Sequence, residues 1–256
     1  SYLNLSPIRI CVNLKPAIDG IRELAFANAD RTVRVGTGET GDSLLFDPLT
    51  RLSEQFVRGL SDLDNVFFEM KTKTDFVDHL VDIPEKGNAV IGFSLSSEET
   101  ASREEGFASP VEKRLKAARK AADNGYLVAF HFDPIFKINT WEEQYSELIA
   151  EIGRFPTEKI AWISLGTFRY PSELKANMKK RPYLYDEYVR SGDGKYRYIQ
   201  KVRIGIYRKL LDHIRNYTAA PVYLCMESPA VWKRVFGHEP GKIPSLQSVF
   251  SPLRDL

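Results

Sequence analysis

The chain has 256 residues, 43% hydrophobic and 27% charged, which is ordinary for a globular protein and long enough for a large core. A formal net charge of +2 is too small to imply nucleic-acid binding by itself, no apolar run is long enough to span a bilayer, and no basic-then-apolar leader opens the chain. The two cysteines, Cys11 and Cys225, argue against a disulfide framework and leave the cytoplasm as the expected compartment.

Read from the N-terminus, apolar runs alternate with helical patterns. Ile8–Val12 is a predicted strand, Ala17–Phe26 a helix, Thr32–Val35 a strand, Asp47–Leu60 a helix and Val66–Met70 a strand. A helix over Asp75–Val81, a strand over Ala89–Leu95 and a helix over Val111–Asn124 follow. Then come strand Leu127–Phe132, helix Trp141–Phe155, strand Ile160–Ser164, helix Val202–Tyr217 and strand Val222–Met226. This alternation is the signature of βαβ units and a mainly parallel sheet. Several strands read apolar on both faces, as a sheet covered on both sides should. The helix over Val111–Asn124 is the clearest: Val111, Leu115, Ala118 and Ala122 share one face, Lys and Arg the other, and Ser109-Pro110 reads as cap and first-turn proline. Gly192-Asp193-Gly194 marks a turn or hairpin tip. No linker divides the chain, so one α/β domain over residues 1–256 is expected, with a basic, Tyr-rich C-terminal region from about 168 to 256. An open or closed barrel and a doubly wound sheet both fit, and in either the chemistry collects at the C-terminal ends of the strands.

The sharpest signal there is Gly36-Thr37-Gly38-Glu39-Thr40-Gly41-Asp42. Its three glycines let the backbone turn tightly and approach a ligand, while Glu39 and Asp42 offer acceptors to an amine or hydroxyl. An ordinary glycine-rich loop explains the same residues equally well, and spacing excludes a P-loop and a dinucleotide fingerprint. Next come Lys71 and Lys73, on one face of an extended segment, where an ammonium could pair with a carboxylate or phosphate or simply be solvated. Asp75 reads as a helix cap. The hydroxyls of Ser94-Leu95-Ser96-Ser97 suit either a polar ligand or the cap of the following turn. His131 and Asp133 point the same way along their strand, as a base with its orienting carboxylate, as two metal ligands, or as a structural pair. No set of residues is assigned to a metal.

Taken together and in order, these segments resemble the spore photoproduct lyase family. The landmarks are Tyr2-Leu3, Ile8-Arg9-Ile10-Cys11-Val12-Asn13, Arg34 through Asp42, Lys71-Thr72-Lys73-Thr74-Asp75 with Val77-Asp78-His79-Leu80, and Gly92-Phe93-Ser94-Leu95-Ser96. They continue through Ser109-Pro110 with Lys113-Arg114, Gly125-Tyr126, Asp133-Pro134-Ile135, and Trp141 with Tyr145, and loosen after Thr167. The resemblance implies a partial (β/α)6 barrel of the radical S-adenosylmethionine type. It also implies a [4Fe–4S] cluster on a Cys-x-x-x-Cys-x-x-Cys loop, whose open iron takes the amino and carboxylate groups of S-adenosylmethionine. One-electron reduction by an external donor then yields a 5′-deoxyadenosyl radical that abstracts hydrogen from a substrate.

Position by position, Gly36, Thr37, Gly38 and Glu39 resemble the loop that receives the methionine amino group. Lys73 and Ser94 match residues near its carboxylate, and Tyr2 matches the tyrosine after the last cluster cysteine. Ser1 stands where that cysteine would be, so the cluster ligands are expected upstream of Ser1 and the fragment alone is expected to be inactive. Glu39 falls where the lyase has its hydrogen-donor cysteine, which puts repair of the thymine dimer in doubt; Tyr2 and Glu39 are the catalytic candidates. The expected function is a radical S-adenosylmethionine enzyme acting on DNA or a nucleotide, with the Lys/Arg/Tyr stretch Arg181–Arg208 a candidate for phosphates and bases. Two other readings stand beside it: a barrel hydrolase or aldolase using His131, Asp133 and Glu39, with or without a metal, and a cluster-less nucleic-acid-binding relative.

Overall fold

Leu14, Ile18, Ile21 and Ala25 recur at helical spacing and form the inner stripe of α1 (Leu14–Ala27). This is the first element of a computed structural model that describes residues 10–38, 41–177, 181–185 and 187–240. After α1 come β1 (Val33–Thr37), α2 (Asp47–Thr50), α3 (Leu52–Leu60), β2 (Val66–Thr72), α4 (Asp78–Val81), β3 (Ala89–Ser94) and α5 (Glu98–Glu104). Then follow α6 (Val111–Asp123), β4 (Leu127–Ile135), α7 (Trp141–Ile152), β5 (Ile160–Thr167), β6 (Arg169–Pro171) and α8 (Ser172–Asn177). The chain goes on through β7 (Tyr188–Arg190), β8 (Lys195–Tyr198), α9 (Gln200–Arg215), β9 (Val222–Leu224) and α10 (Pro229–Phe236). No helix among the described residues is long and apolar enough to cross a membrane.

Six strands pair in parallel in the order β1-β2-β3-β4-β5-β9, which is chain order but for one excursion. That excursion leaves β5, builds the small antiparallel sheet β6-β8-β7 and α9, and returns to β9. On the outer face, Phe68, Phe130 and Phe132 meet the helices directly. Phe56 of α3 stacks on Phe68 at 4.9 Å, and Phe155 and Tyr145 approach Phe130 and Phe132 edge-on at 5.1 and 5.6 Å. Each such ring removed from water stabilises the fold by roughly 1.5–3 kcal/mol. The sheet curls about its other face so strongly that the Arg34 guanidinium of β1 hydrogen-bonds the Tyr223 hydroxyl of β9 at 3.0 Å. The result is the expected partial barrel.

Several local expectations change. Residues 10–12 of the predicted strand Ile8–Val12 are irregular, and Ile8 and Arg9 lie outside the described residues. The predicted helix Asp47–Leu60 is broken at Arg51, which takes φ 55° between α2 and α3. The predicted Asp75–Val81 helix starts only at Asp78, because Asp75 caps nothing and instead accepts a hydrogen bond from Ser109. Ser109 is thereby diverted from capping α6, whose N-cap is Pro110. The predicted strand Leu127–Phe132 runs on through Pro134 to Ile135. The inner face of the sheet is polar rather than apolar, because its charged side chains pair with one another. Gly192-Asp193-Gly194 is a hairpin tip as expected, joining β7 to β8.

Candidate active site

Alternation along parallel strands decides what faces the lumen. Arg34 of β1, Glu69 of β2, His131 of β4, Trp162 and Ser164 of β5 and Tyr223 of β9 converge there into one network. Glu69 accepts from His131 Nε2 at 2.6 Å, from Trp162 Nε1 at 3.0 Å and from Arg34 at 2.6 Å. Ser164 Oγ meets His131 Nδ1 at 2.6 Å, and the Arg34 guanidinium lies 4.1 Å from the centre of the Trp162 ring. Gly92 makes this possible, since a Cβ there would stand 2.7 Å from Glu69 Oε1 and 2.8 Å from His131 Nε2. Burial alone would push the Glu69 carboxyl up, but His131 and the Arg34 guanidinium hold it well below the usual carboxylate range. Burial pulls His131 down more than Glu69 raises it, so the ring is neutral at pH 7. It donates from Nε2 to Glu69 and accepts at Nδ1 from Ser164.

The glycine loop sits at the mouth above this floor. Gly36 and Thr37 are exposed there, and Thr37 Oγ1 lies 2.7 Å from Ser43 Oγ. Gly38 takes φ +92°, and a Cβ on it would come within 2.8 Å of the Lys71 carbonyl and 2.9 Å of Ser43 Oγ. Asp42 is fully used in tying the loop to β2. It accepts from the amides of Leu44, Leu45 and Lys73 at 2.9, 3.0 and 2.6 Å and from Thr72 Oγ1 at 2.8 Å. It is therefore a clamp on the loop rather than a ligand for an amine. Glu39 and Tyr2 lie outside the described residues.

Lys73 reaches the rim and forms an ion pair with Glu105, which also accepts from Ser96 Oγ at 2.8 Å and Arg114 Nη2 at 2.6 Å. Burial would raise the Glu105 carboxyl, but Lys73 and Arg114 outweigh it and lower the pKa. Arg114 is 1% exposed and also holds the Ser94 carbonyl at 2.8 Å and the Ser109 carbonyl at 2.7 Å. Sequence reasoning placed it on the solvated face of its helix, although its spacing, three residues after Val111 and four before Ala118, puts it on the buried stripe. The Ser94 side chain has no hydrogen-bond partner among the described residues. Ser97 caps α5 by accepting from the Thr100 amide at 3.3 Å.

His131 and Asp133 share a face but not a task. His131 belongs to the Glu69 network, while Asp133 receives both terminal nitrogens of Arg169 at 3.0 and 3.1 Å. No group of three His, Cys, Asp or Glu among the described residues is arranged to hold a metal ion. The hydrolytic reading of His131 and Asp133 loses its support, since each is already committed to another partner. In the C-terminal region, the tyrosines stack mainly on one another: Tyr170 on Tyr196 at 5.4 Å and Tyr188 on Tyr198 at 4.6 Å. Arg181, Arg197 and Arg203 pair with Glu104, Asp193 and Glu227.

The family model described as spore photoproduct lyase matches residues 4–221. The chain is 29% identical over 232 residues to a spore photoproduct lyase of Geobacillus sp., a match covering 83% of this chain and 65% of that protein. It therefore spans just under two thirds of the length of that relative. A solved alanine mutant of spore photoproduct lyase superposes with a TM-score of 0.77 at 25% identity, over 88% of this chain and 72% of the other. A further solved mutant of that enzyme, with bound AdoMet and dinucleoside spore photoproduct, superposes with a TM-score of 0.72 at 22% identity, over 84% of this chain and 67% of the other. The chain belongs to the spore photoproduct lyase family.

Proposed function

We propose that this chain is the barrel of a radical S-adenosylmethionine enzyme that acts on a nucleic acid or nucleotide. The observation that carries the reading is the meeting of three features at one mouth of the curled sheet. These are the exposed backbone of Gly36 and Thr37, the unpartnered Ser94 hydroxyl, and the Lys73 ammonium. A zwitterionic amino acid needs acceptors for its amine and donors for its carboxylate, and these groups fit S-adenosylmethionine. Ser94 and Lys73 would receive the carboxylate, with Lys73 sharing its three donors between that group and Glu105. Glu39 completes the amine side by sequence. When bound, S-adenosylmethionine supplies hydrogen-atom abstraction. Asp42 and Arg114 position the two sides of the mouth, by holding the glycine loop and the Ser94 carbonyl respectively.

The described residues do not fit the [4Fe–4S] cluster. Cys11 is exposed in the segment before α1, Cys225 follows β9 in the lumen, and no third thiol accompanies them. No step is assigned to a cluster on these residues. The nucleic-acid or nucleotide substrate rests on family membership and on the dinucleoside bound by the solved relative.

Calorimetric titration with S-adenosylmethionine tests the mouth. A neutral hydrogen bond is worth about 0.5–1.5 kcal/mol and one to a charged group about 1.5–3. Ser94→Ala should therefore weaken binding several-fold and Glu39→Ala about ten- to a hundredfold. Native affinity in both variants would remove the cofactor from this mouth.

A further inference from the structure

Above the closed floor of Arg34, Glu69, His131, Trp162 and Tyr223 the inner face carries one more row of side chains, and its charges do not balance. Asp133 is matched by Arg169 and Arg34 by Glu69, while Lys73 and Arg114 share the one carboxylate of Glu105. His131 is held neutral by burial. Lys71, two residues beyond Glu69 on β2 and half-buried, has no ion pair and no hydrogen bond from its ammonium among the described residues. Its neighbours across the sheet are glycines. A Cβ on Gly38 would stand 2.9 Å from the Lys71 Cβ, and Gly92 is the register partner of Lys71 on β3. Neither glycine sets a side chain beside Lys71: the place of a Cβ on Gly92 is taken by the Glu69–His131 pair of the floor below it, and that of a Cβ on Gly38 by Lys71 itself and Ser43. The ammonium is near enough to bias both His131 and Cys225 electrostatically.

We propose that Lys71 is the anion-binding residue of the barrel interior and takes the phosphate group of a nucleotide or nucleic-acid ligand in the lumen. The inference rests on the substrate class given above and names the group that the site recognises. An ammonium partly withdrawn from water attracts an anion more strongly than one on the surface, and lysine binds phosphate as a point charge without a fixed approach. Arg169 does not compete for the same group, because both of its terminal nitrogens are already on Asp133.

The test titrates thymidylyl-(3′→5′)-thymidine and its uncharged methylphosphonate analogue into the full chain, with S-adenosylmethionine titrated in parallel. The native chain should prefer the charged dinucleotide about tenfold, the effect of one charge-assisted contact. Lys71→Gln should abolish the preference and Lys71→Arg should keep most of it. Both should melt at the native temperature, since no partner is orphaned. Equal affinity for the two dinucleotides in the native chain, or a preference that survives Lys71→Gln, would overturn the assignment. So would an unchanged preference combined with weakened S-adenosylmethionine binding in Lys71→Gln, which would give the lysine to the carboxylate of the cofactor. Failure of S-adenosylmethionine to bind any form would count against the cofactor mouth alone, leaving the charged-versus-uncharged comparison to decide Lys71.

Discussion

Glu69 and His131 lie 62 residues apart in the chain and meet only because β2 and β4 flank a glycine. No local motif announces such a pair. His131 was legible as an inward residue at a strand end, but the partner suggested by alternation was Asp133, two positions along the same strand. The register between strands, invisible in one sequence, assigned it instead to Glu69 and Ser164. The same geometry makes Gly92 the most constrained position in the floor. Gly92→Ala would press a methyl against Glu69 Oε1 and His131 Nε2, and overpacking of this kind costs about 1–3 kcal/mol. Urea denaturation should show a lower midpoint with an unchanged slope; a midpoint equal to the native one would mean that the floor yields more easily than its short contacts suggest.

At the scale of elements, what was legible followed from length and apolar content. The long runs Val66–Met70, Ala89–Leu95, Leu127–Phe132 and Ile160–Ser164 are all strands, within a few residues at their C-terminal ends. The strands β6, β7 and β8 were missed because they have only three or four residues and are mostly Lys, Arg and Tyr, without a core-facing aliphatic period. They are held by tyrosine stacking and by Arg197, buried with its charge on Asp193. Helix α10 did carry legible marks: Ser228-Pro229 at its start is the same cap-and-proline pattern read at Ser109-Pro110, and Gly237 ends it in the left-handed region. The break between α2 and α3 went unseen because Arg51 has no sequence signal for φ 55°. A left-handed conformation costs a non-glycine residue about 1–2 kcal/mol. Its side chain is exposed and, among the described residues, makes only long polar contacts, to Glu54 and the His79 carbonyl. Arg51→Gly should therefore be neutral or stabilise by up to about 1 kcal/mol, read as a thermal midpoint raised by a few degrees. A clear loss of stability would show that those contacts outweigh the strain.

For the molecule as a whole, the buried carboxylates of the site and its histidine, the groups that titrate on the acid side, act in one direction. Glu69, Glu105 and His131 all have folded-state pKa values below their ordinary ones. Each binds protons less readily folded than unfolded, so the stability it contributes is present above its unfolded pKa and lost as pH falls toward the folded value. That loss begins below about 6.5 for the histidine and below about 4.3 for the glutamates. The thermal midpoint should accordingly fall between pH 7 and 5, and His131→Gln should flatten that part of the profile; an acid-insensitive native chain would contradict the assigned ionisation. Because the first five strands of the large sheet pair in the order of synthesis, they can assemble one upon the next as the chain emerges. Strand β9 must wait until the excursion from β6 through α9 has been made. The Arg34–Tyr223 bridge would then be the last stitch, absent from the folding transition state and felt only when the protein comes apart. Stopped-flow measurement on Tyr223→Phe should find unfolding accelerated about tenfold, for a charge-assisted bond of about 1.5 kcal/mol, with refolding barely changed. A slowed refolding limb would instead place the two outermost strands together at the beginning.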